Sequence, residues 1–544
     1  MSAQSGRPAR WRAVGSLLAA MAIVVSGLAL RPSTAVRAAG GTLLVARNIG
    51  DIKTMDPGHF YEFTSAVMAS NCYDTLITYI GTDTQHPRPA LATRWSVSPD
   101  GRVFTFHLRH GVRFASGNPL TADDVVFSYW RLKYLGDNPE FLIDGATDIR
   151  ALDKYTVRIT LGAPDVSFLS ALAVQDFGVL DSRLVKAHGG VDSKDAATKD
   201  KAQSFLDNQS AGTGPYQLTS VTRNVQVVMQ RNPYFWGPRP FFDKIILQNQ
   251  REAATQRLLV QRGSVDVAMD IDIQQAQALE HDPNVQVVKG NTLDLNYIGM
   301  TTSVTRSAPL SNKYVRQAIR YAIDYDGILK GLLKGVGTRP NSMIPVGMLG
   351  NDTTTNNRLL IHTNLSKARA LLKKGGYPNG FSVKLSYWVG RVFDGIPMDP
   401  IAAKVKNDLA RVGINVTLDP EQDSVLLPAY RAQKLQMILY EWGVDYADPS
   451  DYAGPFSPGP GKRPATRMFY TWDSHLTAIV NQADTVSDAG KRAALYRQVQ
   501  QIWLDESPWI GLVQPQNIIV LGRDVKGYKF YPLVLGGNFR SVYK

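Results

Sequence analysis

Beyond residue 40 the chain alternates short apolar runs of period two with longer ones of period 3.6. In Val103-Phe104-Thr105-Phe106-His107-Leu108-Arg109 the apolar side chains Phe104, Phe106 and Leu108 fall on one face and the polar ones on the other. That alternation predicts a half-buried strand, with Asp100-Gly101 as the hairpin turn before it. Further strands are predicted over 41–46, 76–79, 225–230, 295–300, 381–385, 414–418, 437–439, 510–513 and 517–521. Helical spacing covers the rest. A helix over 65–74 is followed by one that Thr121 caps, with Asp124 at the third position of a capping box. Asn312 opens a helix that carries Val315, Ala318, Ile319, Ala322 and Ile323 on one face. Ser366 begins another, which Gly375-Gly376 ends. Ile401, Val405, Leu409 and Val412 define a helix over 401–412, stopped by Gly413, and a last helix spans 491–504. After residue 293 strands alternate with helices, the order of an α/β lobe.

A length of 544 residues with 44% hydrophobic content predicts large cores and more than one lobe. No repeat or low-complexity linker separates the lobes, so they are expected to be built from interleaved segments. The first stretch reads differently. Arg7, Arg10 and Arg12 precede an apolar run over 13–30, and Val36-Arg37-Ala38 offers small residues for cleavage. This is the order of a secretory signal peptide, expected over 1–38; an uncleaved membrane anchor is the alternative. Cleavage there removes five arginines and no acids, lowering the formal charge from +13 to +8. The remaining cations are scattered, which argues for a solvated surface and against nucleic acid. Cys72 is the sole cysteine, so the exported chain forms no internal disulfide and has no cysteine for a lipid anchor.

Catalytic and metal motifs are missing. The eight histidines are dispersed. His107 and His110 lie three apart on a strand, on opposite faces, where they cannot share a metal. No His-Glu-x-x-His, paired Cys-x-x-Cys, Gly-x-Ser-x-Gly or phosphate-binding glycine loop occurs. The reading is of a non-enzyme without metal or cofactor.

Positive chemistry concentrates in Tyr440-Glu441-Trp442-Gly443-Val444-Asp445-Tyr446-Ala447-Asp448-Pro449-Ser450-Asp451-Tyr452, which follows the apolar strand 437–439. A strand ending in aromatics, glycine, acids and Asp-Pro predicts a binding loop on a rigid element. The segment resembles the ligand loop of the dipeptide- and oligopeptide-binding proteins that serve ABC importers. Trp442, Asp445, Asp448, Pro449 and Tyr452 fit that family's Trp-x-x-Asp-x-x-Asp-Pro pattern. The resemblance extends to Thr54-Met55-Asp56-Pro57, to the block from Phe114 through Gly117-Asn118-Pro119-Leu120-Thr121-Ala122-Asp123-Asp124-Val125, to Gly212-Thr213-Gly214-Pro215-Tyr216, and to Arg231-Asn232-Pro233-Tyr234-Phe235-Trp236.

The resemblance implies an α/β fold of the large, three-subdomain periplasmic binding protein type, two-lobed with a hinge and an interlobe ligand cleft. It implies a first lobe from 39–78 and 205–292, an accessory subdomain over 79–204, a second lobe over 293–509, and a tail over 510–544 returning to the first. It also implies a periplasmic monomer that captures peptides and hands them to permease subunits in the inner membrane. Asp445 is the residue implied to grip a ligand's amino group, since a buried ammonium needs a charged acceptor. Trp442 and Tyr446 could stack on the ligand or pack into the core. Arg391, after the strand over 383–388, is the candidate for a ligand carboxylate, by position alone. Two alternatives stay open: a non-peptide cargo such as a nickel chelate, haem, glutathione, an opine or an oligosaccharide, and an exported hydrolase using acids such as Asp445 and Asp448.

Overall fold

Phe104, Phe106 and Leu108 are buried, and their strand, Val103–Leu108, lies inside a four-stranded antiparallel sheet. The turn at Asp100-Gly101 joins it to Ala92–Val97, with Gly101 at φ 68°, in the left-handed region that glycine enters freely. The computed structural model describes residues 40–456 and 474–544. The expected signal peptide over 1–38 lies outside the described residues, and residues 39–544 form one compact unit.

Two larger sheets organise that unit. The first has seven strands in the order Val285–Asn291, Gln516–Gly522, Val267–Ala268, Thr42–Arg47, Lys244–Asn249, Gln226–Arg231, Tyr216–Thr222. Thr42–Arg47 pairs in parallel with both its neighbours, and its Leu43, Val45 and Ala46 are fully buried, as expected for a strand covered on both faces. The second has five strands in the order Ile414–Glu421, Phe381–Trp388, Met437–Trp442, Leu295–Met300, Trp509–Val513. Here Phe381–Trp388 and Ile414–Glu421 pair in parallel, joined through the helix Met398–Ala410. Ile401, Val405 and Leu409 of that helix are fully buried, and Gly413 turns the chain at φ 85°.

The four-stranded sheet is braced by the helix Ala122–Leu135, whose capping box is formed: the Thr121 amide donates to Asp124 Oδ2 (2.8 Å). Asp124 Oδ1 also accepts from the Ser182 hydroxyl at 2.6 Å, so one carboxylate holds this helix start and that of the helix Ser182–Ala187.

The two large sheets are joined twice. Residues 292–294 lead from Val285–Asn291 to Leu295–Met300, and residues 514–515 lead back from Trp509–Val513 to Gln516–Gly522. The crossings lie side by side. Thr292 donates to the Pro515 carbonyl through its amide (3.2 Å) and hydroxyl (3.0 Å), and Gln514 Nε2 donates to the Thr292 carbonyl (2.7 Å). Short paired connections of this kind are where lobe rotation is absorbed.

Candidate functional site

Met437–Trp442 is a buried strand whose carboxyl end delivers Gly443, Val444 and Asp445 to a cavity of about 620 Å³. Ligands of open α/β sheets bind beyond the carboxyl ends of strands, and this loop obeys that rule. The opposite wall comes from Phe60–Phe63 and Val174–Asp176. Asp445 is partly exposed, and its carboxylate accepts a hydrogen bond from the hydroxyl of Tyr61, a residue 384 positions earlier. A phenol–carboxylate contact between residues far apart in the chain thus spans the cavity wall.

Local bonding holds Asp445 in place. Asp451, fully buried, accepts from the Asp445 amide (3.0 Å) and the Trp442 indole (3.3 Å), clamping the loop from below. Asp294, in the first interlobe crossing, accepts from the Val444 amide at 2.8 Å, and the Tyr452 hydroxyl donates to the Leu293 carbonyl. The loop is therefore fastened to the hinge itself.

Three acids face the first cavity: Asp445, Glu62 and Asp176. Glu62 is ion-paired with Lys53 at 2.9 Å. Asp176 is partly exposed as a residue, but its Oδ1 is buried and has no hydrogen-bond partner among the described residues. Burial pushes its carboxyl up to about 8, and the negative charges of Asp445 and Glu62 add to the rise. Burial also holds the Asp294 carboxyl well above its usual range, with the nearby Asp394 carboxyl reinforcing it.

The expected site residues separate into three groups. Asp445 lines the cavity. Trp442 and Tyr446 do not: Trp442 packs edge-on to Phe456 (5.0 Å between centroids), and the Tyr446 hydroxyl lies 3.0 Å from Ser450 Oγ. Both side chains are buried and packed into the core. Arg391 lines a second, larger cavity of about 1170 Å³, but its guanidinium is bonded to Glu441, with Nη2–Oε1 at 2.6 Å and Nε–Oε2 at 3.0 Å. Asp448 is buried and ion-paired with Arg492, and its Oδ1 accepts from the Ser450 amide at 2.9 Å, ordering the Asp-Pro turn. Tyr61, Asp176 and Asp294 escape sequence reading because each meets the loop only through tertiary contact; no local pattern marks them.

Among the described residues no group of three or more His, Cys, Asp or Glu side chains is arranged to hold a metal ion. No helix among them is long and apolar enough to cross a membrane.

Comparison with known proteins matches residues 86–463 to the model of the bacterial extracellular solute-binding proteins, family 5. The probable D,D-dipeptide-binding periplasmic protein DdpA of Escherichia coli K12 is 28% identical over 501 residues, covering 90% of this chain and 92% of that one. Heme-binding protein A of Haemophilus influenzae is 26% identical, covering 81% of each. The periplasmic binding protein DppA of Helicobacter pylori, solved in complex with the peptide STSA, superposes with a TM-score of 0.73 at 27% identity, covering 93% of this chain and 98% of that one. With the family model spanning well over half its length, two interlobe crossings and a loop acid facing the cleft, the chain belongs to the bacterial extracellular solute-binding proteins, family 5.

Proposed function

We propose that this chain is the periplasmic solute-binding component of an ABC importer, exported through its first 38 residues, and that it captures peptides between its lobes for delivery to a membrane permease. We assign the first lobe to 39–78 and 205–292 with an accessory subdomain over 79–204, the second lobe to 293–509, and a returning tail to 510–544. The observation that carries the reading is Asp445, a carboxylate in the wall of a cavity to which both lobes contribute. The relatives named for peptides support it.

The physics follows from that placement. A ligand that touches both walls does so only when they approach, so its binding energy draws the open–closed equilibrium toward closure, and the permease reads the closed form. An α-ammonium entering the cavity finds Asp445 already oriented by Asp451 and the hinge, and exchanges with the Tyr61 phenol as its hydrogen-bond donor. Water fills side-chain pockets at small cost, which suits varied peptide sequences. A relative named for haem raises a second cargo; the amine-accepting Asp445 is what favours peptide. The site is one of binding, with no step of bond cleavage assigned to Asp445 or Asp448.

Native mass spectrometry of the purified protein tests the cargo, since an enclosed ligand copurifies. Replacing Asp445 with Ala is expected to cost about 2–5 kcal/mol of peptide affinity, abolishing peptide-induced thermal stabilisation. The unliganded melting temperature should barely move. Turnover of peptide by the wild-type protein, abolished in Asp445→Asn, would replace the transport reading with a hydrolytic one.

A further inference from the structure

Among the described residues, the lining of the first cavity includes three acids and no lysine, arginine or histidine. Two of the acids have partners. Glu62 is ion-paired with Lys53 (2.9 Å), and Asp445 accepts from the Tyr61 hydroxyl. Asp176 stands apart. No cation among the described residues lies within ion-pair distance of it, and its buried Oδ1 has no hydrogen-bond partner there.

The fold keeps Asp176 at the cavity. It sits in the short 3-10 helix Gln175–Phe177, whose Phe177 is fully buried and packs edge-on to Tyr129 (5.1 Å between centroids) and Phe168 (6.0 Å). The Gly178 amide closes the turn on the Gln175 carbonyl at 3.0 Å. With the next side chain anchored in the core, the turn cannot carry Asp176 away from the cavity without unpacking Phe177.

A buried carboxyl oxygen without a partner is costly whether the group is ionised or not, and something outside the chain is then needed to complete it. The surroundings choose what that is. Asp445 and Glu62 set a negative potential at Asp176, which disfavours an anion and favours a cation. The hydrocarbon of Leu142, Val174 and Leu533 borders the same space. A basic side chain suits such a wall: its methylene stem lies along apolar surface while its charged head reaches a polar partner.

We propose that Asp176 receives the cationic side chain of the ligand's first residue while Asp445 holds its α-ammonium, so that the cleft favours peptides beginning with lysine, ornithine or arginine. The proton that burial keeps on Asp176 in the unliganded protein leaves to solvent as the ligand's charge arrives, and a charge-assisted hydrogen bond takes its place. The inference rests on the peptide reading and adds to it the class of first residue.

The test is calorimetric titration of the purified protein at pH 7 with di- to pentapeptides of alanine whose first residue is lysine or norleucine, which has lysine's stem without its amine. The same pair of residues at the second position is the control. Wild type is expected to bind lysine-first peptides at least about tenfold more tightly than norleucine-first ones, the low end of what a hydrogen bond to a charged group contributes. The exchange at the second position should change affinity by less than about threefold. In Asp176→Asn the first-position ratio should also fall below about threefold, while norleucine-first peptides bind as they do to wild type. Wild-type affinity for lysine-first peptides that merely equals or falls below that for norleucine-first ones overturns this inference and leaves the peptide reading standing. A lysine preference shared by both positions, or one that survives in Asp176→Asn, also overturns it, as does an Asp176→Asn protein that loses every peptide. Wild-type protein that binds none of the peptides at any length fells the peptide reading, and this inference with it. Should Asp176→Asn fail to fold, wild type decides alone: a preference confined to the first position supports the inference, and one absent or shared by both positions refutes it.

Discussion

The loop after Met437–Trp442 divides into two halves that look alike in sequence and behave oppositely in the fold. Gly443, Val444 and Asp445 face the cavity, whereas Tyr446, Asp448, Asp451 and Tyr452 are buried behind them. Asp445 and Asp448 are three residues apart. The first accepts from the half-exposed Tyr61, 384 residues away, and the second is bonded to the buried Arg492. Identical chemistry thus lines a cavity in one position and is committed to the architecture in the other. What differs is placement: the Asp448 carboxylate is paired with a buried guanidinium behind the loop, while Asp445 lines the cavity.

The contrast breaks most visibly at Asp448. Replacing it with Ala leaves Arg492 buried without its counter-charge, and removing one partner of such a pair costs about 3–5 kcal/mol. The unliganded protein should therefore unfold at markedly lower denaturant concentration, with peptide added or not. Asp445→Ala should do the reverse, sparing stability and removing the ligand response. If Asp448→Ala leaves stability intact and abolishes binding instead, the division between the halves is wrongly drawn.

Asp294 tests whether the cavity half depends on the hinge. Its Oδ1 accepts from the Val444 amide, and the residue is fully buried in the first crossing. Asp294→Ala strands that amide, at a cost of about 1–3 kcal/mol. Because Val444 precedes Asp445, peptide affinity should fall together with stability, which distinguishes this variant from Asp445→Ala and Asp448→Ala. Chemical denaturation combined with calorimetric titration reads both quantities. A loss of stability with unchanged affinity would detach the hinge from the site.

Much of the fold is legible along the chain because it rests on local pattern. The alternation at Phe104, Phe106 and Leu108, the Thr121–Asp124 capping box and the Gly413 stop are each decided within a few residues, and each is present in the structure. What local pattern omits is pairing. A strand over 510–513 is evident from composition, but only its bonding to Leu295–Met300 places Trp509–Val513 in the five-stranded sheet. The site divides in the same way. Asp445 is marked by its motif, whereas Tyr61 is brought to it from 384 residues away and nothing around Tyr61 announces the contact. Arg391 is named by position alone, and nothing in the sequence shows that Glu441 is bonded to it.

The smallest expected effect sharpens the comparison within the cavity itself. Asp176 and Asp445 line the same space, but burial holds the Asp176 carboxyl near 8, so at neutral pH it is largely protonated in the folded, unliganded protein. Its folded value lies above the unfolded one, near 3.8. The stability it contributes is accordingly complete below pH about 4 and is lost as pH rises toward 8. Asp176→Asn has no proton to lose, so its unliganded melting temperature should match wild type near pH 4 and exceed it by roughly 1–2 °C at pH 8, a modest gain because the residue is partly solvated. Ligand should respond to the same group. An ammonium placed between Asp445 and Asp176 favours the ionised form of the latter, so wild-type binding at pH 7 releases a proton and strengthens as pH approaches 8. Titrations in buffers of differing ionisation enthalpy measure that proton directly: present in wild type, it should be missing in Asp176→Asn. A wild-type binding enthalpy independent of buffer would mean that the cation stops short of Asp176 and that Asp445 meets it alone.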